Sequence, residues 1–91
     1  MAQRMKGSTP VLPMTESNRD KVSRIVATLL RLPLADLDRE ARLGRPARWD
    51  SLAQLDILAA CEEEFNLTIE PDQAVDLITL AALIGYIEQH G

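Results

Sequence analysis

Cysteine occurs once in these 91 residues, at Cys61, and histidine once, at His90. A single cysteine closes no internal disulfide, which excludes a small secreted scaffold held by several bridges. The pair also falls short of the roughly four such ligands that a structural zinc site uses. Aromatic residues are as scarce: Trp49, Phe65 and Tyr86 are the whole set. Three rings make no stacking platform for single-stranded nucleic acid. Long apolar runs are missing too. The longest stretch, Leu77 to Ile87, is broken by Thr79 and Gly85 and falls well short of the ~20 residues that cross a bilayer as a helix. With 46% hydrophobic and 26% charged residues, the composition is that of one small globular domain rather than a disordered chain. The expectation is a compact monomer kept reduced in the cytoplasm, with no membrane span.

Lysine and arginine are absent after Arg48. Residues 1–49 hold all ten cations against five acids, whereas residues 50–91 hold nine acids and no cation. So acidic a half repels phosphate backbones and attracts basic protein surfaces. Nucleic acid is therefore not an expected ligand for this half; its acids either meet a basic protein partner or merely solubilise a helical surface.

Residues 1–15, MAQRMKGSTPVLPMT, carry three methionines and two prolines without helical period. They lack the apolar core of a secretory signal and read as a flexible leader. Residues 16–91 read as the folded domain. Val22, Ile25, Val26, Leu29 and Leu30 recur at helical spacing, with Thr15 or Ser17 as cap, Glu16 and Asp20 suited to the first turn, and Pro33 ending the helix. A long connection follows to Trp49, punctuated by Gly44 and Pro46; Leu34, Leu37 and Leu43 are expected to pin it to the core. A second helix opens at Asp50-Ser51 and runs to about Phe65, with Asn66 as terminator. Pro71 starts a short third helix whose inward residues are expected to be Ala74, Val75 and Leu77. Thr79 caps a last helix carrying Leu80, Leu83, Ile84 and Ile87. No segment alternates like a strand. The fold class is all-α: a four-helix bundle with a long loop between its first two helices and a short third helix.

The second helix carries more apolar surface than one core face needs. Ile57 or Leu58, Cys61 and Phe65 supply the buried stripe. Leu52, Leu55 and Ala59 form a further strip beside Asp50 and Asp56. An apolar strip rimmed by carboxylates, beginning at a serine on a helix N-terminus, has the layout of a docking surface. A simply wide core face is the other reading of the same periodicity.

The segment WDSLAQLDILAACEEEF, residues 49–65, resembles the prosthetic-group segment of acyl carrier proteins: Asp-Ser-Leu followed by an amphipathic helix ending Glu-Glu-Glu-Phe. The likeness continues through NLTIEPDQAVDLITLAALIGYIEQ, including Ile69, Ala74 and the Tyr86-Ile87 pair. It is strong from Leu43 onward and weak in the first helix. The resemblance implies that Ser51 carries a 4′-phosphopantetheine arm, with Asp50 and Leu52 beside it, and that the arm's thiol holds an acyl group as a thioester. It also implies that Leu55, Asp56, Ala59, Glu62 and Glu63, with Asp50 and Leu52, meet basic patches on partner enzymes. Those partners are a phosphopantetheinyl transferase, an acyl- or aminoacyl-loading ligase, and downstream transferases or synthases.

Several positions depart from the fatty-acid type of that family. Ala53 stands where many fatty-acid carriers have an acid, Trp49 where a small residue is usual, and Arg45 and Arg48 precede the serine. WDSL resembles carriers dedicated to specialised acyl or aminoacyl pathways more than the LGADSL-like form, and it lacks the GGDS or GGHS form of modular peptidyl carriers. The expectation is a stand-alone carrier in a dedicated pathway such as secondary metabolism, bearing a short or polar cargo outside the bundle. The alternatives are a fatty-acid synthesis carrier and an unmodified, carrier-like adaptor. Catalysis by the chain itself is not expected. Cys61 falls on the core stripe, His90 has no carboxylate to orient it, and Asp36 and Asp38 lack the other ligands of a calcium loop.

Overall fold

A computed structural model describes residues 16–90, so the expected leader lies outside the described residues. The described residues form four helices, α1 (Asn18–Leu29), α2 (Ser51–Phe65), α3 (Pro71–Ala74) and α4 (Leu80–His90), with a 3₁₀ turn at Leu34–Asp36. Among the described residues there is no strand beyond isolated bridges that join Arg42 to Arg45 and to Thr79. The expected all-α bundle is what forms, with a long first loop and a one-turn third helix.

Local chemistry explains each boundary. Ser17 caps α1, its hydroxyl accepting from the Asp20 N–H at 3.1 Å. Glu16 sits just outside the helix and pairs with Arg24 one face along. α2 stops at Asn66, which takes the left-handed conformation (φ 53°) that a C-terminal cap requires and that asparagine tolerates better than most residues. The Thr79 hydroxyl accepts the Ala82 N–H at 2.9 Å and so starts α4.

Packing follows the apolar periodicities. α1 lies against α4 and α2. Val22, Val26 and Leu30 from α1, Ile57 and Cys61 from α2, and Leu80, Leu83, Ile84 and Ile87 from α4 share one buried cluster. Two expectations about the connections are corrected. The side chains of Leu34 and Leu43 are exposed and do not anchor the long loop in the core; Leu37 packs part-buried, while Ala41 and Trp49 are fully buried in their place. In α3 and the segment just after it, the inward residues are Ala74 and Leu77, whereas Val75 is 67% exposed. Short irregular segments have no stripe from which an inward side can be read, and here the backbone bonds decide it.

Those bonds fold the second half of the long loop tightly. Arg42 and Arg45 exchange both backbone hydrogen bonds, at 2.8 and 2.7 Å, and the Gly44 N–H reaches the Trp49 carbonyl at 2.7 Å. Gly44 has φ +91°, a backbone state that side-chain-bearing residues rarely adopt. Leu43 N–H donates to Ile78 O, and Leu80 N–H to Ala41 O, which pins the loop to the start of α4.

Candidate functional site at the start of the second helix

Asp50 is the N-cap of α2, and its side chain accepts the Ala53 N–H at 2.9 Å. Ser51 is therefore the first residue of the helix, and it is exposed. Among the described residues nothing bonds to its hydroxyl. The backbone N–H groups of Ser51 and Leu52 likewise meet no acceptor there, because the first turn of a helix has no preceding carbonyls to use. Asp50 consumes one of the orphan donors and leaves these two. The end of α2 next to Ser51 thus presents free donors and the positive pole of the helix. That is the environment a phosphate ester on the serine needs, so the residues present fit a phosphate-linked group.

Arg48 fixes the approach to this serine. Its Nη1 donates to the carbonyls of Leu30 and Arg31, at 3.1 and 2.9 Å. Those carbonyls end α1, where unpaired C=O groups and the negative pole of the helix favour a cation. The segment entering α2 is thereby fastened to α1 on one side and to the start of α4 on the other. Between the end of α1 and the start of α2 lies a surface depression of about 530 Å³ that includes Leu29, Arg31, Arg48, Asp50, Leu52 and Asp56.

A buried polar chain stands just behind the serine. The indole N–H of Trp49, wholly shielded from solvent, donates to Gln54 Oε1 at 2.7 Å, and Gln54 Nε2 donates to the Leu77 carbonyl at 2.8 Å. Gln54 is the one buried polar side chain among the described residues. Sequence reasoning missed both roles. The signal was present for Gln54, which lies three residues before Ile57 and seven before Cys61, on the core stripe. For Trp49, loop placement hid the burial.

The second apolar strip of α2 faces solvent rather than widening the core face. Leu52 is 69% and Leu55 64% exposed, and Ala59, Asp56 and Glu63 also face solvent. Glu62 differs: it is half-buried, and its Oε2 accepts the Ile69 N–H at 2.7 Å. That bond ties the end of α2 to the segment before α3. Cys61 is buried, and desolvation, reinforced by the neighbouring Glu62 and Glu64 carboxylates, pushes its thiol up to about 11. His90 lies against Tyr86, ring centroids 4.3 Å apart. Among the described residues no group of three or more acidic, histidine or cysteine side chains is placed to hold a metal ion, and no helix is long and apolar enough to cross a membrane.

Residues 20–87 match the family model described as "Phosphopantetheine attachment site". Similar curated proteins include an acyl carrier protein of Porphyromonas gingivalis, 33% identical over 70 residues that span 77% of this chain and 90% of that one. An acyl carrier protein of Cyanidioschyzon merolae is 33% identical over 78 residues, 85% of this chain and 86% of that protein. One from Helicobacter pylori is 27% identical over 71 residues, covering 78% and 91%.

Proposed function

The chain belongs to the phosphopantetheine-attachment family of acyl carrier proteins, and on that premise we propose that Ser51 is the residue to which the 4′-phosphopantetheine arm is joined. The family's proteins carry rather than catalyse. The arm supplies a terminal thiol that holds an acyl group as a thioester. The observation that carries the assignment is the exposed Ser51 hydroxyl, without a partner among the described residues, at the first position of α2.

The chain's own residues contribute position and charge. Ser51 Oγ faces solvent, within reach of a modifying enzyme. The free N–H groups of Ser51 and Leu52 hold negative charge placed on that oxygen. Asp50 sets the helix start, and Arg48 anchors the segment before it. Cys61, buried and protonated at neutral pH, offers no second thiolate to compete for the cargo.

Carriers of this family work with a phosphopantetheinyl transferase and with synthetic enzymes. For this chain the docking surface is Leu52, Leu55 and Ala59 with Asp50, Asp56 and Glu63, supported by their common exposure on α2 beside Ser51. Glu62 adds charge to the same helix while bracing Ile69. Trp49, Ala53, Arg45 and Arg48 support service in a dedicated pathway rather than in general fatty-acid synthesis.

Incubation with coenzyme A and a broad-specificity phosphopantetheinyl transferase, followed by intact-mass measurement, tests the assignment. The native protein gains one phosphopantetheine and the Ser51→Ala protein gains none. A mass gain in Ser51→Ala overturns it.

A further inference from the structure

The buried chain from Trp49 through Gln54 to Leu77 does more than fill the core. It joins three separate stretches: the residue two before Ser51, the first full turn of α2, and the segment that leads into α4. We propose that Gln54 is a specificity-determining latch, which holds the bundle shut behind Ser51 and restricts the carrier to acyl or aminoacyl groups too short or too polar to enter the core. The inference rests on Ser51 as the point of attachment.

The argument is one of satisfied groups in a dry place. The Trp49 N–H and the Leu77 carbonyl have Gln54 as partner, and Gln54 meets both at once. An alkyl chain passing between α2 and the Leu77 segment must break these bonds inside the protein, where water cannot replace them. It must also displace an indole with no exposed surface from a cluster that contains Ile57, Cys61, Leu80 and Leu83, and close-packed interiors resist such insertion. By contrast, the depression beside Ser51 lies at the surface, where Arg31, Arg48, Asp50 and Asp56 border the exposed Leu52. A small or polar group on a tethered arm stays there in contact with water at no cost to the core.

Trp49 is the only tryptophan, so the latch carries its own probe. The native protein and Gln54→Leu are each converted with acetyl-coenzyme A and with octanoyl-coenzyme A by the broad-specificity transferase, and intact mass confirms the load. Indole N–H resonance, Trp49 emission and the amide signals of Ile57, Cys61 and Leu83 are then compared. In the native protein the acetyl and octanoyl forms give the same indole and core signals. In Gln54→Leu the octanoyl form alone shifts them. A role for Gln54 in stability alone creates no dependence on chain length. Shifted core signals in the native octanoyl protein overturn the latch, and that comparison decides even if Gln54→Leu does not fold. A folded Gln54→Leu indifferent to chain length overturns the part assigned to Gln54. A native protein that gains no mass at all overturns the attachment at Ser51, a result separate from any core shift, and the latch's role in cargo choice falls with it.

Discussion

Arg48 reaches across the start of the site to the Leu30 carbonyl, 3.1 Å away, and to the Arg31 carbonyl beside it. One loop cation thus closes the open end of α1 and fixes the chain three residues before the exposed serine.

Replacing that guanidinium tests the fastening. Arg48→Ala removes two charge-assisted bonds to backbone carbonyls at a partly exposed position. A loss of about 1–2 kcal/mol is expected in urea unfolding. Arg48→Lys recovers only part of it, because an ammonium lacks the planar fork of the guanidinium.

Gln54→Leu leaves the Trp49 N–H and the Leu77 carbonyl buried without a partner. Each orphaned group costs about 1–3 kcal/mol, so a loss of about 2–4 kcal/mol is expected, which is large for a domain of this size. Denaturant unfolding followed by Trp49 emission measures it. A change within experimental error would show that the two groups find other partners.

Ser51→Ala separates function from fold. The hydroxyl is exposed and Asp50, not Ser51, caps the helix. Stability is expected to change by no more than about 0.5 kcal/mol, while conversion by the transferase is abolished. Circular dichroism and intact mass read the two effects on one sample.

The proposed docking on the exposed face of α2 is tested through its charge. Asp56→Lys and Glu63→Lys are expected to slow modification of Ser51 more than Glu88→Lys does, and the native rate should fall with added salt, since surface attractions are screened over about 8 Å at 0.15 M. Initial rates with one transferase compare the three variants. Glu62→Lys is the less clean test, because its carboxylate also braces the Ile69 N–H.

The Cys61 thiol, raised by burial to about 11, is protonated in the folded protein at pH 8 and shielded from reagents. Alkylation by iodoacetamide is expected only after unfolding. The linkage has a definite sign. The unfolded thiol ionises near 8.5, below the folded one, so this group's contribution to stability is whole below about pH 8.5 and is lost as pH rises towards 11. Unfolding midpoints in urea from pH 8 to 10.5 should therefore decline in native protein and decline less in Cys61→Ala.

Helix order and most of the core were legible in the residues alone. The stripes Val22-Ile25-Val26-Leu29-Leu30 and Leu80-Leu83-Ile84-Ile87 repeat at the helical period, and each becomes a buried face except at Ile25, which is half-buried, and Leu29, which lies at the end of α1 and is exposed. Ser17, Thr79 and Asn66 mark ends because their side chains or backbone preferences satisfy local groups, which depends on neighbours a few residues away. The Asp-Ser-Leu segment with its acidic helix likewise identified the family without coordinates. What periodicity cannot supply is the path of chain that has no period. Whether Leu43 or Ala41 turns inward, whether Val75 is covered, and where Trp49 points were decided by bonds between residues far apart in sequence: Leu43 with Ile78, Leu80 with Ala41, and Gln54 with Trp49 and Leu77. A glutamine on a core stripe reads as a flaw until the tertiary structure brings it a donor and an acceptor at once, because burial is tolerable only when both ends of the amide are satisfied.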